Sequence, residues 1–321
     1  MPEPRMTVWK GRVDTEDGPR ALRWHQMVKP LTPDCAPGIV LIGFACDEGI
    51  RRNGGRVGAK DAPRTIRSSL ANLAWHQDRP VYDAGDVRCD DEDMEGAQDR
   101  LAEVVTRVLS AGHRPLILGG GHEAAWGTFQ GIVTAKPKAK VGVINIDSHL
   151  DLRASETGNS GTSFSQIARW CKGNDRPFRY LCLGASMASN TAALFDRAQE
   201  LGAWFVPDFA FIPREQDVAF KHIRKFAQPL DIIHLSIDLD VLPAATMPAV
   251  SAPAGSGVPL GWVEALIQLV LQSGKTAAID IVELNPSLDT DNTSARVAGH
   301  LAWSTSLWWA KSWAAQPQGK S

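Results

Sequence analysis

Asp147, His149 and Asp151 stand at every second position of the segment Asn145-Ile146-Asp147-Ser148-His149-Leu150-Asp151. In an extended chain successive side chains alternate between faces, so these three project from one side. The residues before them, Val141-Gly142-Val143-Ile144, are apolar enough for a buried strand. Such a strand delivers two carboxylates and an imidazole to its C-terminal edge. Charges crowded there are costly unless a cation is bound among them.

The construction recurs twice. Ile232 to Ile237 is an apolar run leading into Asp238-Leu239-Asp240, and Pro115 to Leu118 leads into Gly119-Gly120-Gly121-His122-Glu123. The three strand ends together offer two histidines and four aspartates. One catalytic zinc usually takes about three protein ligands. The set therefore suits two divalent ions sharing carboxylates, with the four negative charges balanced by the two cations.

Each motif alone has a plainer explanation. Aspartates at strand ends cap helices, a glycine run makes a tight turn or an anion cradle, and Asp-x-Asp is an ordinary polar exit from a sheet. Their joint occurrence at successive strand ends points to a bimetal site. His25, His76, His113, His222 and His300 lack carboxylates at ligand spacing. His234 shares a face with Asp238 but lies deeper in its strand, which predicts a hydrogen-bonded core histidine.

Short apolar runs that begin near Ile39, Val81, Leu116, Val141, Tyr180, Trp204, Ile232 and Ala277 alternate with helical patterns. Those patterns cover 62–73, 92–110, 123–133, 191–201, 215–226 and 260–271, each with i, i+3, i+4 apolar spacing. The alternation predicts an α/β protein with a parallel sheet between helices. A closed barrel and an open sheet both place sites at the C-terminal strand ends, so periodicity leaves both open. With 321 residues, 44% hydrophobic, the chain can bury a large core, and residues 1–321 are expected to form one domain with the first 35 or so as an extension. Leu301, Trp303, Leu307, Trp308, Trp309 and Trp313 crowd an expected C-terminal helix. They suit packing onto the sheet, or a subunit interface, where Trp is enriched.

The net charge of −2 offers no basic stripe for nucleic acid. No apolar run approaches the roughly 20 residues that span a bilayer. The N-terminus opens on no signal-peptide core, and the five scattered cysteines contain no C-x-x-C pair. A cytoplasmic protein with reduced thiols is expected.

At this point the chain resembles the ureohydrolase family of arginases, agmatinases and formimidoylglutamases. The matching motifs are Gly120-Gly121-His122-Glu123, the 145–151 segment, Ser236-Ile237-Asp238-Leu239-Asp240 and Asp280-Ile281-Val282-Glu283-Leu284-Asn285-Pro286. The resemblance implies a three-layer arginase-like fold, an open eight-stranded parallel sheet with helices on both faces. It also implies two Mn2+ ions per subunit. His122, Asp147, Asp151 and Asp238 would hold one, and Asp147, His149, Asp238 and Asp240 the other. Ions about 3.5–4 Å apart lower the pKa of a shared water, which attacks the carbon of a C=N group. The resemblance gives Asp151 as carrier of a proton to the leaving amine and Glu283 as partner of the substrate's cationic nitrogen. It further implies a homo-oligomer, a trimer or hexamer.

Three features resemble the formimidoylglutamase branch. Ser160, in Asn159-Ser160-Gly161, stands where arginases and agmatinases carry a proton-shuttling histidine. The loop from Cys46 to Gly58 contains Arg51, Arg52, Asn53 and Arg56, and its arginines could grip a substrate with two carboxylates. Leu242 precedes Pro243 where agmatinases usually have aspartate. The expected reaction is hydrolysis of N-formimidoyl-L-glutamate to glutamate and formamide, a step of histidine degradation. The alternatives are a guanidino-acid ureohydrolase releasing urea and, more distantly, an inactive metal-binding protein. A metallophosphoesterase would need more histidines late in the chain, and a single-zinc deacetylase would leave His122 surplus.

Overall fold

The computed structural model describes residues 1–4, 6–211 and 216–314. The N-terminal segment contributes α1 (Trp24–Met27) and β1 (Lys29–Pro30). There follow β2 (Ile39–Ala45), α2 (Glu48–Arg52), α3 (Ala62–Ala71), β3 (Val81–Arg88), α4 (Met94–Ser110), β4 (Arg114–Leu118) and α5 (Ala124–Ala135). The middle holds β5 (Val141–Ile146), α6 (Ser163–Gly173), β6 (Tyr180–Ala185), α7 (Ala192–Glu200) and β7 (Trp204–Pro207). Last come α8 (Gln216–Ala227), β8 (Ile232–Asp238), α9 (Leu260–Gln272), β9 (Thr276–Val282) and α10 (Thr293–Ala314).

The strands form one sheet in the order β1-β3-β2-β4-β9-β8-β5-β6-β7, and every neighbouring pair is parallel. The sheet is open. It has nine strands rather than eight, because Lys29 and Pro30 pair beside Tyr82 and Asp83 at one edge. Two residues with no apolar run leave no periodic signal. Helix α6 is a further element beyond the helical patterns expected above, with Phe164, Ile167, Ala168 and Cys171 on its buried face, and Glu215, the expected start of α8, lies outside the described residues.

Both faces of the sheet are covered, so central strands are apolar throughout rather than alternating. All seven residues of β2 are buried. Ile39 and Leu41 pack with Ile66 of α3 and Leu301 of α10, whereas Val40 and Ile42 pack with Leu101 and Val105 of α4. The chain crosses between β4 and β5 over the places later taken by β8 and β9. That reversal opens a crevice at the C-terminal ends of the central strands, the usual ligand position in such sheets.

The tryptophans at the two ends are tied to this frame. The Trp9 indole donates to Asp83 at 2.8 Å, and Asp83 also pairs with the buried Arg67 at 2.9 Å. Trp24 is fully buried. On α10, Trp303 donates to the Ala74 carbonyl at 2.8 Å, and Trp309 is buried and donates to the Thr276 carbonyl at 3.2 Å. The C-terminal indoles thus pack largely within the chain. No helix among the described residues is long and apolar enough to cross a membrane.

Candidate metal centre

Four central strands end within reach of one another. After β4, Gly119 and Gly120 take left-handed φ values of 71° and 75°. A side chain at Gly120 would place its Cβ 2.3 Å from the Phe44 carbonyl oxygen, so glycine is required there. The turn swings His122 into the crevice, where it is buried. Its Nδ1 lies 3.2 Å from Asp147, 3.0 Å from Asp151 and 3.0 Å from Asp238. Across the same cluster, His149 Nδ1 lies 2.9 Å from Asp240 and 3.6 Å from Asp147.

Strand alternation only begins this convergence. β5 ends at Ile146 and β8 at Asp238, so His149, Asp151 and Asp240 lie beyond the ladders. The backbone NH of His149 donates to Asp147 at 2.6 Å, and that of Asp240 donates to Asp238 at 2.9 Å. Each carboxylate thereby turns its own following segment inward. Asp151 and Glu283 have φ values of 47° and 73°, a strained region for residues with a Cβ. Such strain costs about 1–3 kcal/mol per residue and gathers at functional positions. Glu283 is held over the cluster by the backbone NH of His122, which donates to its Oε1 at 2.9 Å.

The donor set fits two cations. Donors about 2.1 Å from one ion and at right angles lie about 3 Å apart, the spacing seen around His122 Nδ1. That nitrogen and Asp240 Oδ1 are buried without a hydrogen-bond partner. An imidazole lone pair facing three carboxylate oxygens is repulsive unless a cation or a proton lies between. His122, Asp147 and Asp151 can converge on one ion, and Asp147, His149 and Asp240 on a second, so Asp147 belongs to both sets. Asp238, beside His122, completes the cluster.

Without the ions, protons must hold this cluster together. Burial, then the repulsion of Asp240 and Asp147, pushes the Asp238 carboxyl well up, and burial with Asp147 raises Asp151. The facing Asp240 carboxylate holds His149 charged. Loading with Mn2+ must displace these protons. Proton uptake in the free form is fully developed at low pH and lost as pH rises through the raised values. Apparent Mn2+ affinity should therefore climb with pH and level off, with proton release in weakly buffered calorimetry. An affinity independent of pH would contradict this account.

A second layer fixes His122. Its Nε2 lies 2.9 Å from Ser236 Oγ, and Ser236 donates in turn to Asp280 at 3.2 Å. Thr128 donates to the other Asp280 oxygen at 2.7 Å, and His234 Nε2 lies 2.5 Å from Asp280. His234 is the core histidine expected from its depth. The roles of Ser236 and Asp280 were not read from the sequence, although a charged residue inside apolar β9 was a signal that partners must exist. Ser236→Ala should weaken metal binding about 10- to 100-fold, as loss of such orienting contacts does. Equilibrium dialysis with Mn2+ measures it.

The cluster floors a cleft of about 300 Å3 lined by Asn53, Arg56, Arg153, Ser160, Ser251 and Glu283 among others. Asn53 donates to Ser160 Oγ at 3.1 Å. Arg56 Nε donates to the Ser251 carbonyl at 3.0 Å, and its Nη2 donates to Val250 O. Arg51 and Arg52 are not brought to the cleft lining. Both sit one helical turn after Glu48 and pair with it, at 2.6 and 2.9 Å, and Arg52 also pairs with Glu95 at 2.6 Å. Their charge is taken up within α2 and its neighbour. Arg153, which the sequence reading passed over, lines the cleft and makes no ion pair among the described residues. Its signal was its place two residues after Asp151.

The family model described as Arginase family matches residues 37–307. A formimidoylglutamase of Chromobacterium violaceum is 52% identical over 94% of this chain and 97% of its own length. One from Aeromonas hydrophila is 53% identical over 92% of this chain and 96% of its own. The structure of Trypanosoma cruzi formiminoglutamase with Mn2+ superposes with a TM-score of 0.78 at 26% identity, covering 98% of this chain and 100% of that one. By its matched sequence, its open parallel sheet and its relatives, the chain belongs to the arginase family.

Proposed function

We propose that the protein hydrolyses N-formimidoyl-L-glutamate to L-glutamate and formamide, using two Mn2+ ions per subunit in the cluster of His122, Asp147, His149, Asp151, Asp238 and Asp240. The observation that carries this reading is the cleft itself. A donor set for two cations lies beside two guanidinium groups, Arg56 and Arg153, that pair with no acid among the described residues. A dicarboxylate with a formimino group at one end matches that charge pattern. The names of the relatives agree with it. Histidine degradation is the breakdown in which such a substrate would arise.

When bound, paired Mn2+ ions supply Lewis acidity and lower the pKa of the attacking water. The chain's own groups orient and move protons. Glu283 accepts from the backbone NH of His122 through Oε1 and leaves Oε2 for the substrate's cationic nitrogen. Burial, with Asp238 and Glu123 nearby, raises its carboxyl, so an amidinium charge beside it is favourable. Water oxygen bonds to the formimino carbon and gives a proton to Asp151, the bond from that carbon to the glutamate nitrogen breaks, and Asp151 passes the proton to the leaving amine. Ser160 borders the cleft where a histidine shuttle would stand in an arginase. It accepts a hydrogen bond from Asn53 and cannot relay protons as an imidazole does.

The test is turnover by the purified, Mn2+-loaded protein. Glutamate and formamide should appear in equal amounts. Urea released from a guanidino acid, with the formimino compound untouched, would refute the substrate while leaving the metal centre intact.

A further inference from the structure

We infer that Asn285 is a positioning residue that sets the cleft's grip on the carboxylate end of the substrate, an inference that rests on the function proposed above. Asn285 is fully buried, two residues after Glu283. Its Nδ2 donates to two successive carbonyls of the 53–58 loop, Arg56 O and Val57 O, both at 2.9 Å. Its Oδ1 accepts from Ser287 N at 3.1 Å and from Ser287 Oγ at 2.6 Å. Those two donors fix which way the amide faces, so the NH2 must point at the loop. Its backbone NH donates to Ala249 O at 2.8 Å, beside the loop that holds Ser251.

One residue therefore joins three segments: the end of β9, the 53–58 loop through its side chain and the 249–251 loop through its backbone NH. The last two form one wall of the cleft. They meet again through Arg56, whose backbone NH donates to Ser251 Oγ at 3.0 Å. The Arg56 side chain is spent on carbonyls of the opposite loop through Nε and Nη2, which leaves Nη1 for a ligand. The fit is close, since a Cβ at Gly58 would meet Asn285 Oδ1 at 2.1 Å. Glu283 is held separately, by its own NH to Gly120 O at 2.9 Å and by the His122 NH. Removing the amide should loosen Arg56 and its loop while leaving Glu283 and the metal ligands in place.

Asn285→Ala in the Mn2+-loaded enzyme should raise KM for N-formimidoyl-L-glutamate about tenfold or more, the effect of losing two hydrogen bonds that preorganise a charged contact. kcat should stay within about threefold and manganese content should be unchanged. An N-alkylformamidine without carboxylates should be turned over equally by both proteins. A merely structural role predicts a different outcome, an equal fall in kcat/KM for both compounds, and that result overturns the inference, as does an unchanged KM. If Asn285→Ala fails to fold, Ser287→Ala decides, because it removes the shorter of the two bonds that orient the amide and leaves the backbone NH in place. It should raise KM in the same direction by about threefold, and no change sinks the idea. Calorimetric binding of L-glutamate separates the two claims. Wild type that turns over substrate and binds glutamate no better than Asn285→Ala refutes the inference alone. Wild type that does neither refutes the proposed function, and the inference falls with it.

Discussion

Asp147→Asn should give a folded protein that has lost its metal and at least about a thousandfold in kcat/KM, the scale expected when a two-metal site is dismantled. Asp147 belongs to both donor groups, so the loss of its charge touches both ions. The fold should survive because the amide is isosteric and local bonds can be rebuilt. The His149 NH can still donate to an oxygen at position 147, as it now does at 2.6 Å. The other Asp147 oxygen accepts from Asn145 Nδ2 at 2.8 Å, and Asn145 Oδ1 has no partner. Rotating the Asn145 amide offers that oxygen to the new NH2. The metal-free variant should melt somewhat below metal-free wild type, because, against the upward push of burial, the charged His122 and His149 hold the Asp147 carboxylate below its ordinary range and the amide gives up that pairing. Added Mn2+ should raise the melting temperature of wild type by mass action and leave the variant almost unmoved. Metal analysis and paired melts with and without Mn2+ read all three effects. A variant that kept both ions and near wild-type rate would remove Asp147 from the centre.

Trp309→Ala should do the opposite, costing about 3–5 kcal/mol of stability with little change in kcat/KM at low temperature. Trp309 is fully buried in the layer formed by α3, α9 and α10. Truncation opens a large cavity and frees the Thr276 carbonyl that the indole now satisfies. It also removes one of two rings beside the Arg114 guanidinium, at 5.7 Å for Trp309 and 4.2 Å for Trp313. Burial already lowers the Arg114 pKa to about 10, so stripping its aromatic cover exposes a poorly solvated charge. Thr276 opens β9, and the metal centre lies past the other end of that seven-residue strand, roughly 20 Å away at strand rise. Denaturant unfolding and initial rates at low temperature measure the two quantities. A lost rate with unchanged stability would show that α10 acts on the centre directly.

The candidate metal centre was legible because its signals are local. Donors clustered at the ends of apolar runs are visible in one dimension, and an α/β alternation places such ends on one side of a sheet. Even so, the reason was only half right. Asp147, His149 and Asp151 share a direction partly because Asp151 takes a left-handed turn and His149 bonds back to Asp147. The cleft wall was harder to read. Arg51, Arg52 and Arg56 look alike in sequence, but α2 sets the first two against Glu48 and leaves Arg56 over the crevice. Helix geometry makes that distinction, and residue types do not.

By itself the sequence determined the alternating α/β pattern, the six metal-ligand candidates and the absence of a membrane-length apolar run. These follow from composition and short-range spacing, which a chain carries before it folds. The tertiary structure alone decided that Arg153 borders the cleft, that Ser236 and Asp280 steady His122, and that Asn285 ties two loops to β9. Each of those contacts joins segments far apart in the chain, and no local pattern encodes which distant partner a buried polar group will meet.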